Sequence, residues 1–216
     1  MQRDAAGGAS LIAGAIMGLV TMALHPTGSD IARDASTQGA LSMAVHALAL
    51  AAVPILLYGL WVLTRRLSNE GGVLPELALS FYGVAAVATI LAATVSGFLS
   101  TDIITRMVSL TGEERDVAGA LLHYSFEINQ AFARVYAAAS SIAIGLWSLT
   151  ILRQGGVSRA SGYVGVTVAT LALVAVLSGK LRLGVHGFGA VILAQAVWLI
   201  MVGVQLRRPP AAAPTS

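Results

Sequence analysis

The chain has no cysteine and few charged residues. Without cysteine, it cannot form disulfides, thiolate metal sites or a cysteine nucleophile. Asp, Glu, Lys and Arg make up only 11% of the 216 residues, whereas an average soluble domain has about 25%. The G-x-S-x-G motif of many hydrolases and the glycine-rich fingerprints of nucleotide-binding folds are also missing. These absences argue against a soluble enzyme of those classes.

The basic residues are scattered rather than clustered. The net charge is +3, with 13 Lys and Arg residues. Nearly all of them sit singly or in pairs at the ends of apolar blocks, which is typical of the boundaries of membrane spans. A nucleic-acid-binding face would need them gathered in one patch. We therefore expect no nucleic-acid partner.

Long apolar blocks dominate what is present. Hydrophobic residues make up 56% of the chain, and six blocks approach the about 20 residues that cross a hydrocarbon core. The predicted spans are residues 9–24, 41–64, 77–99, 117–152, 161–179 and 187–206. The fourth is too long for one crossing, so one of its ends should protrude or bend. The sequence thus predicts an all-α fold, a polytopic bundle of about six transmembrane helices in contact with membrane lipid.

We expect one domain and one tail. No internal repeat divides the apolar blocks, so residues 1–208 form a single transmembrane domain. Residues 209–216 are rich in Pro and Ala and contain no large apolar side chain. Such a segment cannot bury enough apolar surface to fold, and we predict that it is disordered.

The first apolar block has two interpretations. A basic residue at Arg3, an apolar stretch and Thr21-Met22-Ala23 resemble a cleavable signal peptide. However, Asp4 offsets Arg3, so the basic region is weak. Gly14 and Gly18 form a G-x-x-x-G pattern, which suits a retained helix packed closely on a neighbour. We expect residues 1–23 to be retained.

The loop charges predict an orientation. With six spans both termini share one side, which carries seven cations: Arg3, Arg65, Arg66, Arg153, Arg159, Arg207 and Arg208. The other side carries five: Arg33, Arg106, Arg115, Lys180 and Arg182. Because cytoplasmic loops carry the excess of Lys and Arg, we predict that both termini are cytoplasmic.

A polar stripe runs along the fourth span. At 100° per residue, eight positions fall within a sector roughly 100° wide: His123, Glu127, Gln130, Arg134, Ala137, Ser141, Gly145 and Ser148. Ionisable residues near lipid normally face the bundle or a water-filled cavity. One hypothesis is a ligand-binding vestibule lined by His123, Glu127, Gln130, Arg134 and Ser141. The alternative is a solvated helical extension.

All four histidines belong to the side opposite the termini: His25, His46, His123 and His186. Imidazole is the commonest metal ligand near neutral pH, and His123 and Glu127 share a helical face at i,i+4 spacing. These histidines with Glu127 are therefore candidate ligands for a transition metal. A single haem near the outer face would need a pair such as His46 with His186. For each histidine alone, the alternative is a helix-end or headgroup contact.

One hairpin carries a resemblance. An apolar helix ends at Arg153, a short glycine-bearing turn follows, and Ser158-Arg159-Ala160-Ser161-Gly162 opens the next helix. With the six-span layout, this resembles the uncharacterised six-helix bacterial membrane families known as domains of unknown function. The resemblance implies a multi-pass protein of the bacterial inner membrane and no assigned activity.

Three functions remain open at this stage. The first is binding or transport of a small ligand or metal ion through an outward-facing polar cavity. The second is a metal- or haem-dependent membrane enzyme that uses the same residues. The third is a structural or assembly partner, as a homo-oligomer or with another membrane protein, through its small-residue helix faces.

Overall fold

A computed structural model describes residues 2–68, 72–179 and 183–208. Those residues are largely helical and contain no strand. Six segments are long and apolar enough to cross a membrane: Gln2–Ala23, Thr37–Leu67, Leu74–Met107, Gly112–Gln154, Arg159–Leu177 and Val185–Leu206. The predicted all-α bundle of six spans is therefore confirmed. The tail predicted to be disordered lies outside the described residues.

The helices in chain order are α1 (Gln2–Ala23), α2 (Gly28–Arg33), α3 (Ala35–Leu67), α4 (Leu74–Ala93), α5 (Ser100–Met107), α6 (Gly112–Gln154), α7 (Arg159–Leu177) and α8 (Val185–Leu206). A π-helical segment, Thr94–Leu99, joins α4 to α5. The sequence did not predict the short α2 or the π-helical segment. Because α5 extends the third span, that span runs beyond the residue 99 limit taken from the apolar block.

The bundle is held by four main helix pairs, in which α6 packs against α4 and α7, and α1 packs against α3 and α8. Two fully buried tryptophans lie at its centre. The rings of Trp147 and Trp198 stack with centres 6.2 Å apart. The Trp147 indole N–H donates to Thr64 Oγ1 at 3.0 Å, and that of Trp198 donates to the Ser161 carbonyl at 3.1 Å. Each buried indole nitrogen thus has an acceptor, which burial of a polar group requires.

The start of α1 and the end of α8 meet at one end of the bundle. Gly8 of α1 lies directly against the backbone of Gly203 in α8. Beside them, Arg66 at the end of α3 pairs with Asp4 at 3.3 Å. We call this the termini end. The 43 residues of α6 reach about 64 Å, so α6 extends well beyond a hydrocarbon core of about 30 Å.

Candidate ligand-binding cavity

A cavity of about 440 Å³ lies at the end of the bundle opposite the termini. Its walls come from the C-terminal end of α1, the turn after it and α2, the N-terminal parts of α3 and α8, the end of α4, the π-helical segment, α5 and the outer half of α6. Apolar side chains such as Ile104, Phe126 and Phe188 form much of the wall. The volume lies in the range of small-molecule sites, which is about 300–1,000 Å³.

Two imidazoles meet in the cavity wall. His46 lies near the start of α3 and is 5% exposed, and His25 lies just beyond the end of α1 and is half-buried. Their Nε2 atoms are 3.2 Å apart. The ring centres are 4.7 Å apart, with an interplanar angle of 70°. The structure thus brings together two of the four histidines that the sequence marked as candidate ligands.

The second nitrogen of each ring fixes its tautomer. His46 Nδ1 lies 2.7 Å from the Ser42 carbonyl oxygen, and His25 Nδ1 lies 2.9 Å from the Pro26 carbonyl oxygen. A carbonyl oxygen only accepts, so each Nδ1 carries the proton and donates it. In the neutral rings, both Nε2 atoms are then unprotonated. Burial lowers the pKa of His25 more than its hydrogen bonds raise it, which favours the neutral ring.

Local structure on the π-helical segment positions His46. Gly97 in this segment lies so close to His46 that a Cβ there would overlap the imidazole. In α5, which follows this segment, the Thr101 hydroxyl donates to Ser42 Oγ at 2.9 Å. Ser42 in turn holds the His46 ring through its carbonyl. A π-helical turn is rare and is found frequently at functional sites. This segment also brings Ser96 into the cavity wall.

A second polar network lies between α6 and α8. The Tyr136 hydroxyl donates to Gln195 Oε1 at 2.9 Å. Gln195 Nε2 donates to Ser140 Oγ at 2.8 Å and lies 3.4 Å from Ser141 Oγ. The Ser140 hydroxyl donates to the Tyr136 carbonyl at 2.7 Å. Tyr136 also lines the cavity, so the network holds this part of the cavity wall in place.

The predicted ligand residues fall into three places. Gln130 lines the cavity and donates to the Leu183 carbonyl at 3.0 Å. Ser141 is buried in the network described above. The others are exposed and are not part of the cavity wall: His123, Glu127, Arg134 and His186. Among the described residues, no group of three or more His, Asp or Glu converges on one point, so a metal site with three or more such protein ligands is absent there. The structure also does not bring His186 to His46.

The end of α7 explains why three of the eight residues of the polar stripe are exposed. Gly145 of α6 packs against Ala169 of α7, where a Cβ on the glycine would lie 3.5 Å from the alanine methyl. Helices have the same rise per residue, so Leu177, the last residue of α7, lies about level with Ala137. From Ala137 towards the termini end, the stripe is covered by α7. His123, Glu127 and Arg134 lie beyond the end of α7 and are exposed among the described residues, whereas Gln130 between them is buried against Leu183.

Several residues of the site carried little signal in the sequence. Ser42 holds the His46 ring through its backbone carbonyl, which any residue type would supply. Tyr136 and Gln195 are 59 residues apart, and no spacing rule links them. Gly97 offered the one local hint, because an isolated glycine in an apolar helix indicates a close approach by another element.

No protein-family model matches the chain, and no curated protein and no solved structure is significantly similar to it. The cavity and the two converging imidazoles are therefore the features from which a function is inferred.

Proposed function

We propose that the protein binds a small, largely apolar molecule with one polar group in the cavity opposite the termini end. The supporting observation is the cavity itself, which combines about 440 Å³ of volume and largely apolar walls with a few polar groups, among them the paired imidazoles of His25 and His46, which we call the polar corner. Specific small-molecule sites share this division, because apolar walls supply affinity and a few polar groups fix orientation.

Binding fits the structure better than a continuous pore. Towards the termini end, the space between the helices is filled by the stacked rings of Trp147 and Trp198. Both side chains are fully buried and hydrogen-bonded. Passage across the bilayer would require this layer to separate, whereas binding from the cavity side requires no such change.

We further propose a location in the bacterial inner membrane, with both termini cytoplasmic and the cavity on the outer side. The support is the loop charge, since seven cations lie on the termini side and five lie on the other. The six-span layout adds to this through its resemblance to bacterial membrane families. A ligand would then reach the cavity from the outer leaflet or from outside the cell.

The test uses 2-naphthol, which has an apolar ring body and one hydroxyl. Ala49 lines the cavity in α3, and Ala49→Phe would place a ring in the space the probe needs. Ala47 lies on the exposed side of the same helix, so Ala47→Phe is the matched control. We expect purified protein to bind 2-naphthol in calorimetry, Ala49→Phe to bind at least about tenfold more weakly, and Ala47→Phe to bind like the unmodified protein.

A second probe tests the polar corner. In 2-methoxynaphthalene the hydroxyl donor is replaced by an ether, and we expect its affinity to fall by about tenfold, the size of one hydrogen bond. Equal binding of 2-naphthol to the two phenylalanine variants would show that it dissolves in detergent or in the lipid-facing surface, and would contradict the proposal.

A further inference from the structure

We propose that His25 and His46 together bind one divalent transition-metal ion of the zinc class through their Nε2 atoms, with the remaining coordination positions open to the cavity. This inference rests on the proposed function only in that it uses the same cavity, and it adds a class of ligand. An apolar molecule that ends in an anionic oxygen, such as a carboxylate, would complete the metal's coordination.

The separation of the two nitrogens fits a tetrahedral ion. Zinc–imidazole bonds are about 2.0–2.1 Å long. Two such bonds that span the 3.2 Å between the Nε2 atoms would enclose an angle of about 100–106° at the metal, close to the tetrahedral value of about 109°. A linear two-coordinate ion would need the nitrogens about 4 Å apart, twice the bond length.

The distance between the ring centres disfavours a proton shared in a straight hydrogen bond. An N–H···N bond prefers an angle above about 150°, with the two rings meeting head on. Rings that meet head on across a 3.2 Å gap would have their centres farther apart than the 4.7 Å observed between His25 and His46. At least one lone pair therefore points away from the line that joins the nitrogens, as in two ligands around a common ion.

The hydrogen bonds of the two Nδ1 atoms are of the kind found in metal-binding histidines. Such residues almost always donate the other ring N–H to a carboxylate, a carbonyl or water, which fixes the tautomer and raises the basicity of the ligating nitrogen. Here both rings do so, to the Pro26 and Ser42 carbonyls. With both Nδ1 atoms engaged in this way, Nε2 is the nitrogen of each ring that is available to a shared ion.

The surroundings of the two imidazoles favour a bound cation but supply no further charged ligand for it. No Lys or Arg of the described residues lines the cavity, and α1 ends just before His25, so its C-terminal carbonyls direct partial negative charge there. No carboxylate of the described residues lines the cavity either. With two protein ligands the ion keeps exchangeable positions, as in catalytic rather than structural zinc sites.

The experiment titrates detergent-purified, tag-free protein with Co²⁺, whose tetrahedral complexes absorb strongly in the visible range, and then adds Zn²⁺ as a competitor. We expect one Co²⁺ per chain, a tetrahedral spectrum, and its loss on adding Zn²⁺. His25→Ala and His46→Ala should each weaken Co²⁺ binding by more than about tenfold, the smallest loss that removal of an outer hydrogen-bond partner causes. The exposed His123→Ala and His186→Ala are controls and should bind normally.

Folding is controlled within the same series. Because His46 is nearly fully buried, His46→Ala can also destabilise the fold. Its melting temperature is therefore compared with that of the unmodified protein. His25 lies outside α1 and is half-buried, and His25→Gln keeps most of its volume while removing the imidazole. A spectrum that is absent, octahedral, or retained in folded His25→Gln would overturn the metal site. If the metal site fails but the same sample binds 2-naphthol, the proposed function stands. If the protein binds Co²⁺ as expected but does not bind 2-naphthol, the metal site stands and the proposed function fails.

Discussion

The same bundle is packed in two different ways at its two ends. In the closed half, which comprises the Trp147 and Trp198 layer and the Gly8–Gly203 contact, rings stack and backbones touch directly. In the cavity half, which holds His25 and His46, the helices surround about 440 Å³. A membrane gives no hydrophobic drive for helix association, so close packing must hold the closed half together. The cavity half can stay open because the closed half supplies that packing.

The π-helical segment lies on the cavity side of this division. It interrupts the third span at Thr94–Leu99, where α4 would otherwise continue its regular ridges along α3 and α6. A π turn carries one more residue than an α turn, which rotates the following side chains and opens the backbone hydrogen-bond pattern. The wider segment lets Gly97 approach His46 and so sets the imidazole at the cavity.

The largest effect is expected from a methyl group placed in the closed half. In Gly203→Ala, the new Cβ would lie 2.7 Å from the Gly8 carbonyl oxygen. A backbone atom cannot move aside without separating α1 from α8. We expect the free energy of unfolding to fall by about 3 kcal/mol, the upper part of the usual cost of overpacking, measured by SDS-induced unfolding in mixed micelles.

Gly83→Ala is the control for Gly203→Ala. A Cβ on Gly83 would meet no atom within 4 Å, and alanine is the better helix former by about 1 kcal/mol. We expect this variant to be as stable as the unmodified protein or slightly more so. Equal destabilisation of the two variants would contradict the idea that the closed half depends on backbone contact.

The next effect compares added volume in the two halves directly. Ala143 is fully buried among the Trp147 cluster, and Ala143→Leu should lower the free energy of unfolding by about 2 kcal/mol. Ala93 is also buried, but it lines the cavity, so Ala93→Leu has space for its side chain and should cost less than about 0.5 kcal/mol. If both variants were equally destabilised in thermal melts, the cavity half would be as tightly packed as the closed half.

The sequence predicted the fold because the membrane imposes it. Backbone polar groups in hydrocarbon must bond within the segment, so an apolar block of sufficient length forms a helix whatever its neighbours. The block 187–206 therefore gave nearly the bounds of α8. Prediction was poorer where water or protein replaces lipid, as at α2, which consists of only six residues and has no apolar block to mark it.

The candidate site was only partly predictable for a physical reason. Depth along a helix follows from the residue count, and this correctly indicated the end of the bundle that holds His25 and His46. Facing direction depends on which neighbour covers the helix, and no count reveals that α7 stops level with Ala137. His46 was therefore recognised as a candidate ligand, whereas the sequence could not decide between the vestibule and the solvated extension for Glu127 and Arg134.

A smaller effect is expected at the network between α6 and α8. Tyr136→Phe removes the hydroxyl that donates to Gln195 Oε1 and leaves that buried oxygen without its donor. We expect a loss of about 1 kcal/mol, the typical net value of one buried hydrogen bond, measured by SDS-induced unfolding. Tyr163 is exposed on α7, so Tyr163→Phe should change stability by less than about 0.5 kcal/mol. Similar losses in the two variants would place the effect in the phenol ring and not in the network.

The smallest effect concerns α2, which contributes Ile31 to the cavity wall. Thr27 is the N-cap of this helix, and Asp30 completes the capping box by accepting from the Thr27 hydroxyl at 2.7 Å and from the Thr27 backbone N–H at 3.0 Å. The hydrogen bond from the Thr27 hydroxyl, ahead of the other contributions, lowers the pKa of Asp30 below its ordinary value. A lowered pKa in the folded state means that the carboxylate stabilises α2 above the unfolded pKa, which is about 3.9.

As the pH falls below about 3.9, the unfolded segment takes up the proton first, and the contribution of Asp30 is lost once the pH passes the lower folded pKa. We expect amide hydrogen exchange in α2, corrected for the intrinsic pH dependence, to become about twofold faster over this range, as for the weakening of one exposed cap. In Asp30→Asn the side chain does not titrate, so the corrected rate should stay constant. If the corrected exchange rate of the variant rose equally in acid, other carboxylates would cause the change. The prediction that Asp30 stabilises α2 would then be contradicted.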